Sequence, residues 1–100
     1  MKTERKGDWA RIIPRGSINI TNAEKLREEF QKIMGSGVKK FILNLENVDD
    51  MDSAALGKIL VANSALKKKG GKLVIENVNS ENVKKVFEAV NLADAIEIKD

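Results

Sequence analysis

The sequence predicts an α/β fold. Three observations carry this: short apolar runs of strand length, stretches whose apolar residues recur three and four apart, and regular alternation of the two along the chain. Strands that alternate with helices imply crossover connections, and therefore a sheet with parallel pairs. One hundred residues, 42% of them hydrophobic, supply one core and not two, so residues 1–100 are expected to form a single domain.

The elements follow in order. Trp9 to Pro14 predicts a strand, joined through the Lys6-Gly7-Asp8 turn to a short polar strand near Thr3 to Arg5. Ile18 and Ile20 alternate with polar residues, as a short half-buried strand would. Thr21-Asn22-Ala23-Glu24 has capping-box spacing, and Ala23, Leu26, Phe30, Ile33 and Met34 then mark one face of a first helix. Gly35-Ser36-Gly37 stops it. The run Phe41-Ile42-Leu43-Asn44-Leu45 is too short for an ordinary helix and too apolar for a loop, which makes it a buried strand. From Ser53 onward, Ala55, Leu56, Ile59, Ala62 and Leu66 line one side of a second helix. Lys67-Lys68-Lys69 complement the dipole of its last turn, and Gly70-Gly71 end it. Lys72 to Glu76, apolar through Leu73-Val74-Ile75, predicts a second buried strand. Ser80 caps a third helix whose apolar set is Val83, Val86, Phe87 and Val90, with Asn91 as a left-handed stop. Ile96 and Ile98 close the chain as a strand. Trp9 and the three phenylalanines are expected in the core.

Composition excludes much chemistry. Without cysteine there are no disulfides or thiolate metal sites, and without histidine the commonest metal ligand and general base is missing. No cofactor and no metal are expected. No apolar stretch approaches a membrane span, and Met1 to Lys6 lacks the apolar core of a signal peptide, so a cytoplasmic protein is expected. The formal net charge of +3 is too small to argue for nucleic acid. Its distribution is uneven: Lys2, Arg5, Lys6, Arg11 and Arg15 crowd the N-terminal end, and Asp49, Asp50 and Asp52 cluster in the middle.

The stretch Asp49-Asp50-Met51-Asp52-Ser53-Ala54-Ala55-Leu56-Gly57 sets one hydroxyl among carboxylates where a loop turns into a helix. Ser53 is placed at or next to the N-cap, with its Oγ accepting from backbone N–H groups that the first turn leaves unpaired. A phosphate there would face those donors and the positive end of the helix dipole, while the aspartates repel it. The change would be felt as negative charge presented to a partner. On residue types alone, a serine at this position is a cap and nothing more.

The run from Phe41 to Gly57, with the following Gly-Gly turn and Lys72-Leu73-Val74-Ile75, resembles the STAS domain and, within it, the bacterial anti-sigma factor antagonists. Asp52-Ser53-Ala54-Ala55-Leu56-Gly57 is similar to the family's hallmark, and Gly16-Ser17-Ile18-Asn19 is similar to its Gly-x-Leu/Ile-Asp element. The resemblance covers nearly the whole chain. It implies a mixed β-sheet with helices packed mainly on one side, and it makes Ser53 the phosphorylation site. Two residues depart from the pattern: Ala55 stands for a glycine, and Asn19 stands for an acidic residue that helps the kinase reaction. Asn19 is equally an ordinary polar residue at a strand end. Gly57, Lys58, Val61, Ser64, Ala65 and Lys68 form a mixed flank of the second helix, which composition alone makes a solvated surface. In the family this helix and the adjoining loop meet the partner. The implied partner residues are Asn19, Asp49, Asp50, Asp52, Gly57, Lys58 and Val61.

Three functions from different classes follow. The first is a regulatory module that binds an anti-sigma factor with serine kinase activity, which itself binds ATP, and so frees a sigma factor. A phosphatase would be the further partner, with neither nucleic acid nor membrane involved. The second is a STAS scaffold or sensor module in which Ser53 is not a switch, as Asn19 and Ala55 would favour. The third, an enzyme, needs a nucleophile with an adjacent base, and Ser53 has only carboxylates nearby in sequence.

Overall fold

A mixed five-stranded sheet and a separate two-stranded ribbon organise the chain, whose computed structural model describes residues 1–99. The elements are β1 (Lys2–Lys6), β2 (Trp9–Ile13), β3 (Arg15–Ile18), α1 (Ala23–Gly35), β4 (Lys40–Asn44), β5 (Asn47–Met51), α2 (Ser53–Lys68), β6 (Lys72–Glu76), α3 (Glu81–Ala89) and β7 (Glu97–Lys99). A short 3-10 turn, Leu92–Asp94, precedes β7. The sheet runs β1-β2-β4-β6-β7, with β1 antiparallel to β2 and every other neighbouring pair parallel.

Strand periodicity decides which face the helices cover. Ala10, Ile12, Phe41, Leu43, Leu73 and Ile75 alternate inward and join Leu26, Phe30, Ile59, Leu66 and Val83 in one buried cluster. Phe30 of α1 meets Phe41 of β4 with ring centroids 5.4 Å apart. The helices therefore pack on one side, as the resemblance implies. On the opposite side, Trp9 is only half-buried, lying with Glu4, Lys6, Arg11 and Ile42 along an open groove, with Lys40 Nζ 6.0 Å from its ring. Trp9 is thus not a core residue, because its strand position points away from the helices. The same side holds a polar chain that the sequence did not announce: Arg11 Nε and Asn44 Nδ2 both donate to Glu76 Oε2, at 3.0 and 2.7 Å.

Local expectations change at several points. Ile20 is not in a strand; β3 ends at Ile18, and Ile20 is 79% exposed. The backbone turns at Asn19, whose carbonyl accepts from the N–H groups of Asn22 and Ala23. No Thr21 capping box forms either, since Asn22 occupies the N-cap of α1. The Asn22 side chain is instead spent on the turn, accepting from Asn19 N and donating to Ser17 O, both at 2.8 Å. Finally, the acidic stretch before Ser53 is not all loop. Asn47–Met51 forms β5 and pairs in parallel with β3. At the other end, Ser80 caps α3 by accepting from Val83 N, and Asn91 adopts the left-handed conformation (φ 51°, ψ 49°). Val90, assigned above to the apolar face of α3, is 50% exposed.

Candidate functional site

The β3–β5 ribbon creates the site by delivering two turns to one place. Val48 and Met51 anchor β5 in the core, while Asp49 and Asp50 point to solvent. Asp49 is held from two sides: Ser17 Oγ donates to its carboxylate at 3.1 Å, and Ser80 Oγ donates to its carbonyl at 2.7 Å. Asp50 Oδ1 accepts from Met51 N at 2.8 Å. After Met51 the chain turns into α2, and Asp52 N donates to Ile18 O at 3.1 Å.

Asp52, not Ser53, is the N-cap of α2. Its backbone is extended (φ −106°, ψ −178°), and Oδ1 accepts from Ala55 N at 3.0 Å. Oδ2 accepts from Ile20 N at 3.0 Å, which ties the turn after β3 to the start of α2. A carboxylate has two oxygens for these two tasks, whereas a serine hydroxyl has one oxygen and a shorter reach. Ser53 becomes the first helical residue, exposed, with the cap already made by its neighbour.

The two turns thus meet, but Asn19 is directed inward to its own turn. Its Oδ1 accepts from both the backbone N–H and the hydroxyl of Thr21. Ser53, Ala54, Gly57, Lys58 and Val61 form one stripe of α2, and with Ile20, Ala23 and Glu24 they border an open depression of about 530 Å³. Val61 is 61% exposed and Leu60 38%. Val61 and Ile20 place apolar surface in the depression that Ser53 borders. Ile20 was missed as a site residue because the strand alternation placed it half inside; its own segment carries no signal, since its contact, Asp52, is thirty-two residues away.

Charge around the depression is organised from α1. Glu24 accepts from Arg27 Nε at 2.6 and 2.9 Å, and Lys58 Nζ lies 3.5 Å from the same carboxylate. The Arg27 hydrogen bond holds the Glu24 carboxyl below its usual range; partial desolvation, the next effect in size, opposes it, and the Arg27 and Lys58 charges add to the lowering. Among the described residues no group of histidine, cysteine or carboxylate side chains is arranged to hold a metal ion. Among the described residues no helix is long and apolar enough to cross a membrane.

Comparison with known proteins places the fold. The anti-sigma-B factor antagonist of Bacillus subtilis is 35% identical over 83 residues, which is 83% of this chain and 74% of that protein. The anti-sigma-B factor antagonist of Staphylococcus aureus is 28% identical over 85 residues, covering 85% of this chain and 78% of its own length. Among solved structures, TM1081 of Thermotoga maritima superposes with a TM-score of 0.92 at 27% identity, over 99% of this chain and 85% of that one. The anti-sigma factor antagonist SpoIIAA in its unphosphorylated form shares the fold at a TM-score of 0.78, with 23% identity over 99% of this chain and 86% of its own. The family model of the STAS domain matches residues 1–100, and the chain belongs to that family.

Proposed function

We propose that this chain is an anti-sigma factor antagonist, a binding module and not an enzyme, that acts in the cytoplasm and is switched by phosphorylation of Ser53. In the unphosphorylated form it binds an anti-sigma factor with serine kinase activity and so releases a sigma factor. The names of its relatives support the general role. The observation that carries the switch is the division of labour at the start of α2, where Asp52 caps the helix and leaves the exposed Ser53 hydroxyl beside Ile20, Gly57 and Val61. In the modification, Ser53 Oγ bonds to the γ-phosphorus of ATP held by the kinase, the bond to the ADP oxygen breaks, and the hydroxyl proton leaves to a base of the complex. The product adds a charge of about −1.5 to −2 beside Asp49, Asp50 and Asp52, which a surface matched to a neutral hydroxyl would not accommodate. A phosphatase would restore the binding form.

A second reading, a STAS scaffold whose Ser53 is never modified, is favoured by Asn19. Its amide stands where the resemblance wants an acid, and it is engaged by Thr21. Incubation with ATP and a candidate anti-sigma kinase, followed by intact mass and peptide mapping, separates the two. One added phosphate on Ser53, absent in Ser53→Ala, is the result expected. Phosphate on Thr21, Ser64 or Ser80, or none at all with kinases that bind the chain, refutes the switch.

A further inference from the structure

The proposed switch leaves one cation beside Ser53 without a role. Lys58 Nζ lies 3.5 Å from Glu24 Oε1, whereas Arg27 Nε lies 2.6 Å from the same oxygen. Glu24 therefore has its better partner in Arg27, and keeps it if Lys58 leaves. Side chains on a helix lean toward its N-terminus, so the Lys58 stem runs toward Ala54, four residues earlier and next to Ser53 in the chain. Gly57, one turn above Ser53, contributes no side chain to this path, and a Cβ there would meet nothing within 4 Å. Lys58 and Ser53 line the same open depression.

We propose that Lys58 is the built-in counterion of phosphorylated Ser53, its ammonium moving from Glu24 to the phosphate while Arg27 retains Glu24. The inference rests on the reading of Ser53 as the phospho-acceptor. The other charges facing the phosphate are Asp49 and Asp50 on β5 and Asp52 at the cap, all of which repel it, and Glu24 and Arg27 on α1, which already neutralise each other. Among the described residues that line the depression, Lys58 is thus the cation whose present partner has another partner. A phosphate of nearly two charges attracts the ammonium more than an exposed carboxylate already shared with a guanidinium does. The consequence is regulatory: part of the new charge is cancelled within the chain before a partner meets it. Lys58 then sets how strongly phosphorylation drives release.

The test places phosphoserine at position 53 during translation, so that no kinase is needed. The second ionisation of the phosphate is followed by phosphorus NMR against pH in wild type, Lys58→Met and Lys58→Arg. An ammonium that has moved to within about 5 Å of the phosphate favours the dianion, so the wild-type and Lys58→Arg titrations should lie roughly 0.3–0.6 pH unit below that of Lys58→Met, with the gap shrinking in high salt. Superimposed titrations of wild type and Lys58→Met overturn the proposal, as does a lower value in Lys58→Met. Lys58 has a partly exposed side chain, so both variants are expected to fold, and circular dichroism confirms this before titration. Failure of every kinase to modify Ser53 would sink the proposed function yet leave this titration meaningful. Equal titrations would remove the counterion and leave the kinase reading intact.

Discussion

Replacing Asp52 by alanine should destabilise the fold far more than replacing Ser53, and the two carboxylate hydrogen bonds give the size of the difference. Loss of the cap bond to Ala55 N costs about 1 kcal/mol, within the 0.5–2 kcal/mol usual for N-caps. The bond from Ile20 N joins two turns and has a charged acceptor; its exposure lets water replace it, so about 1 kcal/mol is taken, below the usual range for charged acceptors. The Asp52 N to Ile18 O bond survives in the variant, because it is made by the backbone. The sum is about 2 kcal/mol, or a fall in Tm of roughly 8–16 °C for a domain of this size. Ser53→Ala removes no cap and installs a better helix former, so its effect should stay within about 0.5 kcal/mol of zero. Asp52→Ser retains a cap but is too short to reach Ile20, and should fall between them. Urea unfolding followed by far-UV circular dichroism measures all three. Ser53→Ala costing more than Asp52→Ala would show that the cap belongs to the serine after all, and the argument for a free acceptor hydroxyl would fail.

Val61→Glu should weaken partner binding at least tenfold and leave the melting temperature within a few degrees, since Val61 is 61% exposed; a large fall in Tm would place it in the core. Fully buried Ile59 is the control, with Ile59→Ala expected to cost about 2–5 kcal/mol. Gly71→Ala should cost about 1–3 kcal/mol, because its Cβ would lie 2.1 Å from the Lys39 carbonyl oxygen, which also accepts from Lys72 N; an unchanged urea midpoint would contradict that contact. Glu24 and Glu97 both ionise below the ordinary glutamate range, Glu24 chiefly through its hydrogen bond from Arg27 and Glu97 chiefly through that from Lys72. Their stabilisation is complete above the unfolded glutamate pKa and is lost as pH falls through the lower folded values, so carboxyl NMR should show both titrating late in an acid titration. Ordinary titration of either carbon would remove its ion pair from solution.

Period and punctuation made most of this fold legible. Lys72–Glu76, the α2 face of Ala55, Leu56, Ile59, Ala62 and Leu66, and the Ser80 cap were readable because each is fixed by its own few residues. β5 was not, and the reason is geometric. Its buried residues, Val48 and Met51, stand three apart and break the two-residue alternation of a strand. The pairing with β3 shifts by one residue there, from Gly16 opposite Val48 to Ser17 opposite Asp50. A bulge of this kind is a property of two strands together, and neither segment shows it alone. Trp9 misled for a related reason: an aromatic on a sheet reads as core until the covered face is known. At the α2 start, Asp52 and Ser53 are both good caps by residue type. Only the contact with Ile20, thirty-two residues away in sequence, favours the longer side chain with two acceptors.

The two departures from the family pattern differ in kind once placed in the structure. Ala55 is fully buried, and its N–H is the donor that Asp52 accepts. A methyl group there adds helix propensity and core contact, and a partner never touches it. Asn19 is partly exposed, in the turn that Ile20 ties to Asp52 at the start of α2. An amide keeps the acceptor oxygen that Thr21 uses, so Asn19→Asp can preserve the turn while restoring the missing charge. Ala55 therefore bears on how firmly α2 begins, and Asn19, under the proposed function, on what a kinase would meet. A single-turnover phosphorylation rate for Asn19→Asp at or below wild type would mean that the amide is no handicap, and that the turn geometry, with Asp52 at its centre, is sufficient for the acceptor.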